Sequence, residues 1–201
     1  MSTRFSQAGG RSALTAEFDV QAAAAARRNI MALTRDAEKI EQRAIGTLRR
    51  RLPVQARRDI QQEYAIKADR LRKDLKVRET PHGLTMLGEW RGIGLLNFAG
   101  TRLTRKGVSA APIKGRRRLY PSAFQARLLG GNTQIVQRKG AARVMKDGRY
   151  KGKRKQPIEP VYGPTAAQML AGGRRPYRLA EFSQQILLAE IERLQRMYSK
   201  P

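Results

Sequence analysis

The sequence predicts an α+β protein with a long N-terminal helix, a small mainly antiparallel sheet and a C-terminal helix. Three observations carry this. Apolar residues recur at three- and four-residue steps through residues 15–51. Beyond Lys76 that period gives way to short β-compatible runs separated by Gly and Pro. Residues 179–197 then return to a helical stripe. A chain of 201 residues has room for one ordinary domain, or for one domain with extended arms. The expectation is one structural domain, with an N-terminal helical region over 1–76, a basic β-rich region with flexible loops over 77–163 and a C-terminal helical region over 164–201.

Taken in order, Ala26, Ile30, Leu33, Ala37, Ile40, Ala44 and Leu48 fall on one stripe of the first helix. About 35 residues at 1.5 Å each give a helix of about 50 Å, longer than a small domain is wide. The stripe of Ile30, Leu33, Ile40 and Leu48 is therefore expected to form an assembly interface, and the alanine run at 22–26 lets another backbone come near. Arg27, Arg28, Arg35, Glu38, Lys39 and Glu41 solvate the opposite face. Pro53 is expected to end this helix just after Arg49, Arg50 and Arg51, cations that suit a helix C-terminus. A second helix is expected over 54–64 and a short third over 68–75, with Ile60, Tyr64, Leu71 and Leu75 pointing inward.

Glu79, Thr80, Pro81, His82 and Gly83 read as a turn between strands at 76–78 and 84–87. Further strands are expected at 93–98, 108–113, 124–128 and 133–138, with Gly130, Gly131 and Asn132 turning the last pair. Residues 139–155 hold three glycines and eight Lys or Arg, and read as a basic loop whose form depends on a partner. Pro164 is expected to begin a helix through residue 170, and Gly172 and Gly173 to break it. Phe182, Ile186, Leu187, Ile191 and Leu194 then line the apolar face of the last helix.

Charge narrows the function. Lys and Arg number 42 against 16 Asp and Glu, a formal net charge of +26, so a polyanion is the expected partner. Residues 90–158 hold 18 of the basic residues and one acid, Asp147. The candidate contacts to DNA or another polyanion are Arg102, Arg105 and Lys106; Lys114, Arg116, Arg117 and Arg118; Arg138, Lys139, Arg143 and Lys146; and Lys151, Lys153, Arg154 and Lys155. Such side chains attract phosphate without reading bases. No catalytic residue, metal site or cofactor is expected. The chain has no cysteine, its single histidine, His82, lies in a turn, and Gly92-Ile93-Gly94 lacks the rest of a phosphate-binding loop. No stretch approaches the roughly 18 apolar residues of a membrane span, and residues 1–5 lack the apolar block of a secretory signal. A protein made in the cytoplasm, with no membrane partner, is expected.

The order of short motifs adds a resemblance. The long Ala- and Arg-rich segment is followed by residues 64–77, then Lys106-Gly107-Val108-Ser109, Pro121-Ser122-Ala123-Phe124 and Arg138-Lys139-Gly140. Pro157-Ile158 then leads to Tyr162-Gly163-Pro164-Thr165 and Gln168-Met169-Leu170. Over residues 18–171 this order is similar to that of the minor tail protein Z, or tail completion, family of tailed bacteriophages and prophages. The segment 146–155 is longer and more basic than that pattern, and residues 172–176 interrupt its C-terminal helix. The resemblance implies a noncatalytic virion protein at the head-proximal end of the tail, which completes the tail and joins it to the head. It implies as partners other copies in a ring, hexameric by analogy with tail symmetry, other neck and tail proteins, and the double-stranded DNA crossing the channel. The competing expectation is a sequence-nonspecific nucleic-acid-binding protein of ribosome or nucleoid type, which shares the charge but not the motif order.

Overall fold

The computed structural model describes residues 13–17 (as backbone), 37–80, 83–128, 131–148 and 150–198. Among them the chain is α+β, as the sequence predicts, and it falls into two compact units. The first gathers the chain as far as Gln61, Ala68–Arg91 and the part from Thr165 onward, and the second holds Gln62–Lys67 and Gly92–Pro164.

In the first unit, β1 (Ala13–Glu17), β2 (Leu75–Thr80) and β3 (Gly83–Glu89) form an antiparallel sheet with β3 in the centre, where Met86 lies opposite both Ala16 and Val77. The helices are α1 (Ala37–Glu63), α2 (Ala68–Asp74), α3 (Ala166–Ala171) and α4 (Arg175–Tyr198). Helix α1 buries Ile40, Ala44, Leu48, Leu52, Ala56 and Ile60. Steps of four residues overshoot a 3.6-residue turn, so this stripe winds around the helix. Ile40 and Ala44 pack on Ile191 and Leu194 of α4, while Asp59, nineteen residues on, meets Arg175 and Arg178 at the start of α4. The two helices therefore run antiparallel over about 28 Å. Between those ends the Thr47 hydroxyl donates to Glu190 Oε1 at 3.2 Å.

Several expectations change here. Helix α1 continues through Pro53 instead of ending there, and the helix expected over 54–64 is its second half. Proline removes one helical hydrogen bond, at a cost of about 3 kcal/mol in an isolated helix. Burial of Leu52 and Ala56 on either side outweighs that loss, and Arg49, Arg50 and Arg51 sit mid-helix. Residues 15–17, expected as helix, belong to β1. Ile40 and Leu48 are 0% and 3% exposed within this unit, so neither offers an open stripe to another copy. Ile30, Leu33, Arg27, Arg28, Arg35 and the alanine run lie outside the described residues, as does His82. The β2–β3 hairpin groups with the helices of the first unit. Helix α3 starts at Ala166 under a capping box, in which Thr165 Oγ1 accepts from the Gln168 N–H and the Gln168 side chain accepts from the Thr165 N–H. Pro164 precedes that cap. Helix α4 begins at Arg175, four residues before its expected start.

The second unit is built of short strands around Ile66, Ile93, Leu95, Phe98, Val108 and Ile135. Residues 62–67 thread into it by bridges from Tyr64 to Ile113 and from Ile66 to Phe98. The strand expected at 93–98 shrinks to β4 (Ile93–Gly94), followed by a 3₁₀ turn at Leu95–Asn97. Side chains hold that turn: Asn97 Nδ2 donates to Gly94 O at 3.1 Å, and the Thr101 hydroxyl lies within 3.0 Å of the Leu95 and Phe98 carbonyls. No helix among the described residues is long and apolar enough to cross a membrane.

Candidate nucleic-acid interface

Three small antiparallel arrays present the basic residues. The first is β5 (Arg102–Thr104), β6 (Gly107–Ile113) and β7 (Arg116–Pro121), with β6 in the centre. Val108 and Ala110 anchor β6 in the core, and the edge strands are added by backbone pairing. The turn into β7 needs Gly115, whose φ of +76° is costly for a residue with a Cβ. Arg116, Arg117 and Arg118, expected on a loop, therefore lie in a strand, where neighbours point to opposite faces. Arg117 Nη1 donates to Gly100 O at 3.1 Å and to Ser109 Oγ at 3.2 Å. The register sets Arg102 opposite Ser109 and Ser109 opposite Leu119, so Arg102 and Arg117 share one face. Arg118 lies on the other, its guanidinium 5.3 Å from the Tyr120 ring centre. Arg105 and Lys106 turn the chain into β6 and Lys114 turns it out, so these groups sit about 23 Å apart at the two ends of that strand.

The second array is β8 (Ala123–Arg127), β9 (Thr133–Arg138) and β12 (Ile158–Pro160), again with the middle-numbered strand in the centre. Arg138 lies 5.2 Å from the centre of the Phe124 ring, and Lys139 pairs with Glu159 at 2.9 Å. The third is a hairpin of β10 (Arg143–Val144) and β11 (Arg154–Lys155), in the stretch expected to lack order. Lys155 Nζ stands 5.1 Å from the Tyr150 ring centre. A last pair, β4 with β13 (Tyr162–Gly163), completes the unit.

All fifteen cations named from the sequence are exposed. They are brought to one unit but not to one patch: Arg102 joins Arg117, and Arg138 through Lys155 lie along β9 and the hairpin. Arg127, on β8, is also exposed, and an isolated arginine between apolar residues gave no cluster to notice. The unit carries 18 Lys and Arg against 3 Asp and Glu, a net +15. A second basic feature, in the first unit, is a groove of about 570 Å³ lined by Arg43, Arg49, Arg50 and Arg193. Its charges are largely spent internally. Arg193 grips Glu190 at 2.9 and 2.8 Å, and that hydrogen bond holds the Glu190 carboxyl below its usual range; Arg49 pairs with Glu79 at 2.7 Å. Among the described residues no three His, Asp or Glu side chains converge to hold a metal ion.

Comparison with protein-family models, with characterised proteins and with solved structures finds no match to this chain.

Proposed function

We propose that this chain is a structural protein of a tailed phage, which completes the tail and joins it to the head near the DNA channel. The observation that carries the reading is the basic unit, where every described Lys and Arg is exposed and three acids are set against 18 cations. Such a surface attracts phosphate whatever the base sequence, which suits a channel that DNA of any sequence must cross. The motif order of the tail completion family supports the location. The ring of copies rests on that resemblance and on tail symmetry, since Ile40 and Leu48 are buried within their own unit.

The experiment has two readouts. Particles made without this protein should accumulate as separate heads and tails by electron microscopy, and supplying the protein should restore joining. The isolated chain should bind unrelated duplexes equally, with affinity falling about a thousandfold between 50 and 200 mM salt if six phosphates are contacted. Normal joining without the protein would overturn the tail reading. If joining were normal and salt-sensitive duplex binding persisted, the chain would instead be a general nucleic-acid-binding protein of ribosome or nucleoid type.

A further inference from the structure

We infer that residues 139–148 and 150–157 form a two-stranded β-arm that enters the major groove of duplex DNA, a step that rests on the DNA-facing reading above. The arm leaves its sheet where the third strand ends: Ala123 of β8 lies opposite Gln137, and beyond that β9 and β12 continue as a pair. Arg138 lies opposite Ile158, the Lys139 N–H donates to Pro157 O at 2.9 Å, and Gln156 Nε2 donates to Gly140 O at 2.7 Å. Arg143 then lies opposite Lys155, and the N–H groups of Met145 and Gly152 donate to Lys153 O and Met145 O at 3.1 and 2.9 Å. The ribbon is thus closed by hydrogen bonds almost to its tip, where the Lys151 N–H meets Gly148 O at 3.0 Å.

Its surface points to the partner. Every described residue from 138 to 155 is exposed save Met145, which is half-buried, and Val144 and Tyr150 are 59% and 47% exposed. A two-stranded hairpin is marginal in water by itself. Because facing residues share a side, Arg143 and Lys155 lie on one face of the ribbon and Val144 and Arg154 on the other. An acidic protein surface would satisfy one face. The walls of a DNA groove carry phosphate on both sides of whatever lies between them. The major groove, about 12 Å wide, admits a two-stranded ribbon on an undeformed duplex, whereas the minor groove, about 6 Å wide, must be widened to take one. Ten residues from Arg138 to Gly148 span at most about 33 Å, close to one turn of the duplex.

The test uses the full chain and fluorescence anisotropy on a labelled duplex of about 30 base pairs. Replacing Arg143, Lys153, Arg154 and Lys155 by Ala should lower the slope of log affinity against log salt by about 3 to 4, at about 0.9 per phosphate contact, with far-UV circular dichroism unchanged. Filling the major groove with 5-(glucosyloxymethyl)cytosine should weaken binding at least about tenfold, and netropsin in the minor groove should leave it unchanged. Duplex RNA, whose major groove is deep and narrow, should also bind at least about tenfold more weakly. If the fourfold variant kept its slope while a variant neutralised at Arg116, Arg117 and Arg118 lost it, the arm would be overturned and the DNA-facing reading would stand on β7. Unchanged affinity for the filled groove, or displacement by netropsin, would overturn the groove assignment. A wild-type chain that bound no duplex would remove the DNA-facing reading and the arm together.

Discussion

Asp59 is 6% exposed on α1, and its carboxylate takes Arg178 at 2.6 and 3.0 Å and Arg175 at 3.2 Å. Arg175 is fully buried, and it also donates to the Met169 carbonyl, which closes the end of α3. Burial alone would raise the Asp59 pKa, but the Arg178 hydrogen bond and the charges of Arg175 and Arg178 outweigh it and hold the carboxyl below its usual value of 3.8. A depressed carboxyl stabilises the fold in full above the unfolded pKa, and that contribution is lost as pH falls through the lower folded value. Asp74 works in the opposite sense. Its burial and the nearby Glu89 charge raise its carboxyl against the pull of Arg70, so its contribution weakens as pH rises from the unfolded value through the higher folded one. Arg70 Nε and Asp74 Oδ2 lie 2.9 Å apart. Replacing Asp59 by Asn strands the buried Arg175 charge and should cost about 3 kcal/mol in urea unfolding at pH 7. The difference between wild type and variant should shrink as pH falls below about 4, where the unfolded carboxyl takes up a proton, and go as pH passes the lower folded value. A difference that stayed constant down to pH 2.5 would show that the pair contributes by shape rather than charge.

At the scale of elements, small residues set how closely α3 lies on the sheet. A Cβ on Gly88, in the centre of β3, would fall 2.9 Å from both Cα and N of Ala167, and those are backbone atoms with no side-chain freedom to yield. Ala166 and Ala167 are fully buried there. Gly88→Ala should therefore push helix and strand apart at a cost of roughly 1 to 3 kcal/mol, read as a lower urea midpoint. An unchanged midpoint would mean that α3 can shift freely. None of this approach was visible in the sequence, where Gly88 is simply a glycine in a strand. Elements with a local signature were legible: the β2–β3 hairpin through its Pro and Gly turn, β9 through Thr133, Ile135 and Val136, and α4 through its apolar stripe. Elements made by tertiary pairing were not. Strand β7 opens with three arginines and has little intrinsic strand preference, yet it forms because β6 supplies a paired edge over a buried Val108 and Ala110. Pro53 misled for the same reason, since burial of its neighbours decides the helix and not the missing N–H.

Over the whole molecule the charge is uneven. The basic unit holds +15 of the formal +26, and the rest of the chain sets 24 cations against 13 acids. That excess was legible by counting, because composition survives folding. The placing of Arg102 and Arg117 on one face, and the closure of the β10–β11 hairpin into an arm, depend on register and were not. The exposed pairs Arg49 with Glu79, Lys76 with Glu89 and Lys139 with Glu159 contribute little in water. In the basic unit the Lys139–Glu159 pair stands among 18 cations and three acids, so repulsion between the cations is the larger effect. At 10 mM salt that repulsion reaches about 30 Å, and at 150 mM about 8 Å. Raising NaCl between those values should stabilise the isolated protein by about 1 kcal/mol, a rise of about 2 to 4 °C in Tm. Saturating duplex at low salt should act in the same direction through binding to the folded chain. Hydrogen exchange should place the gain in β6 and β9 of the basic unit, with the amides of α1 and α4 little changed. A Tm that fell with added salt would mean that attractive pairs dominate the electrostatics, and would remove the physical motive for a polyanionic partner.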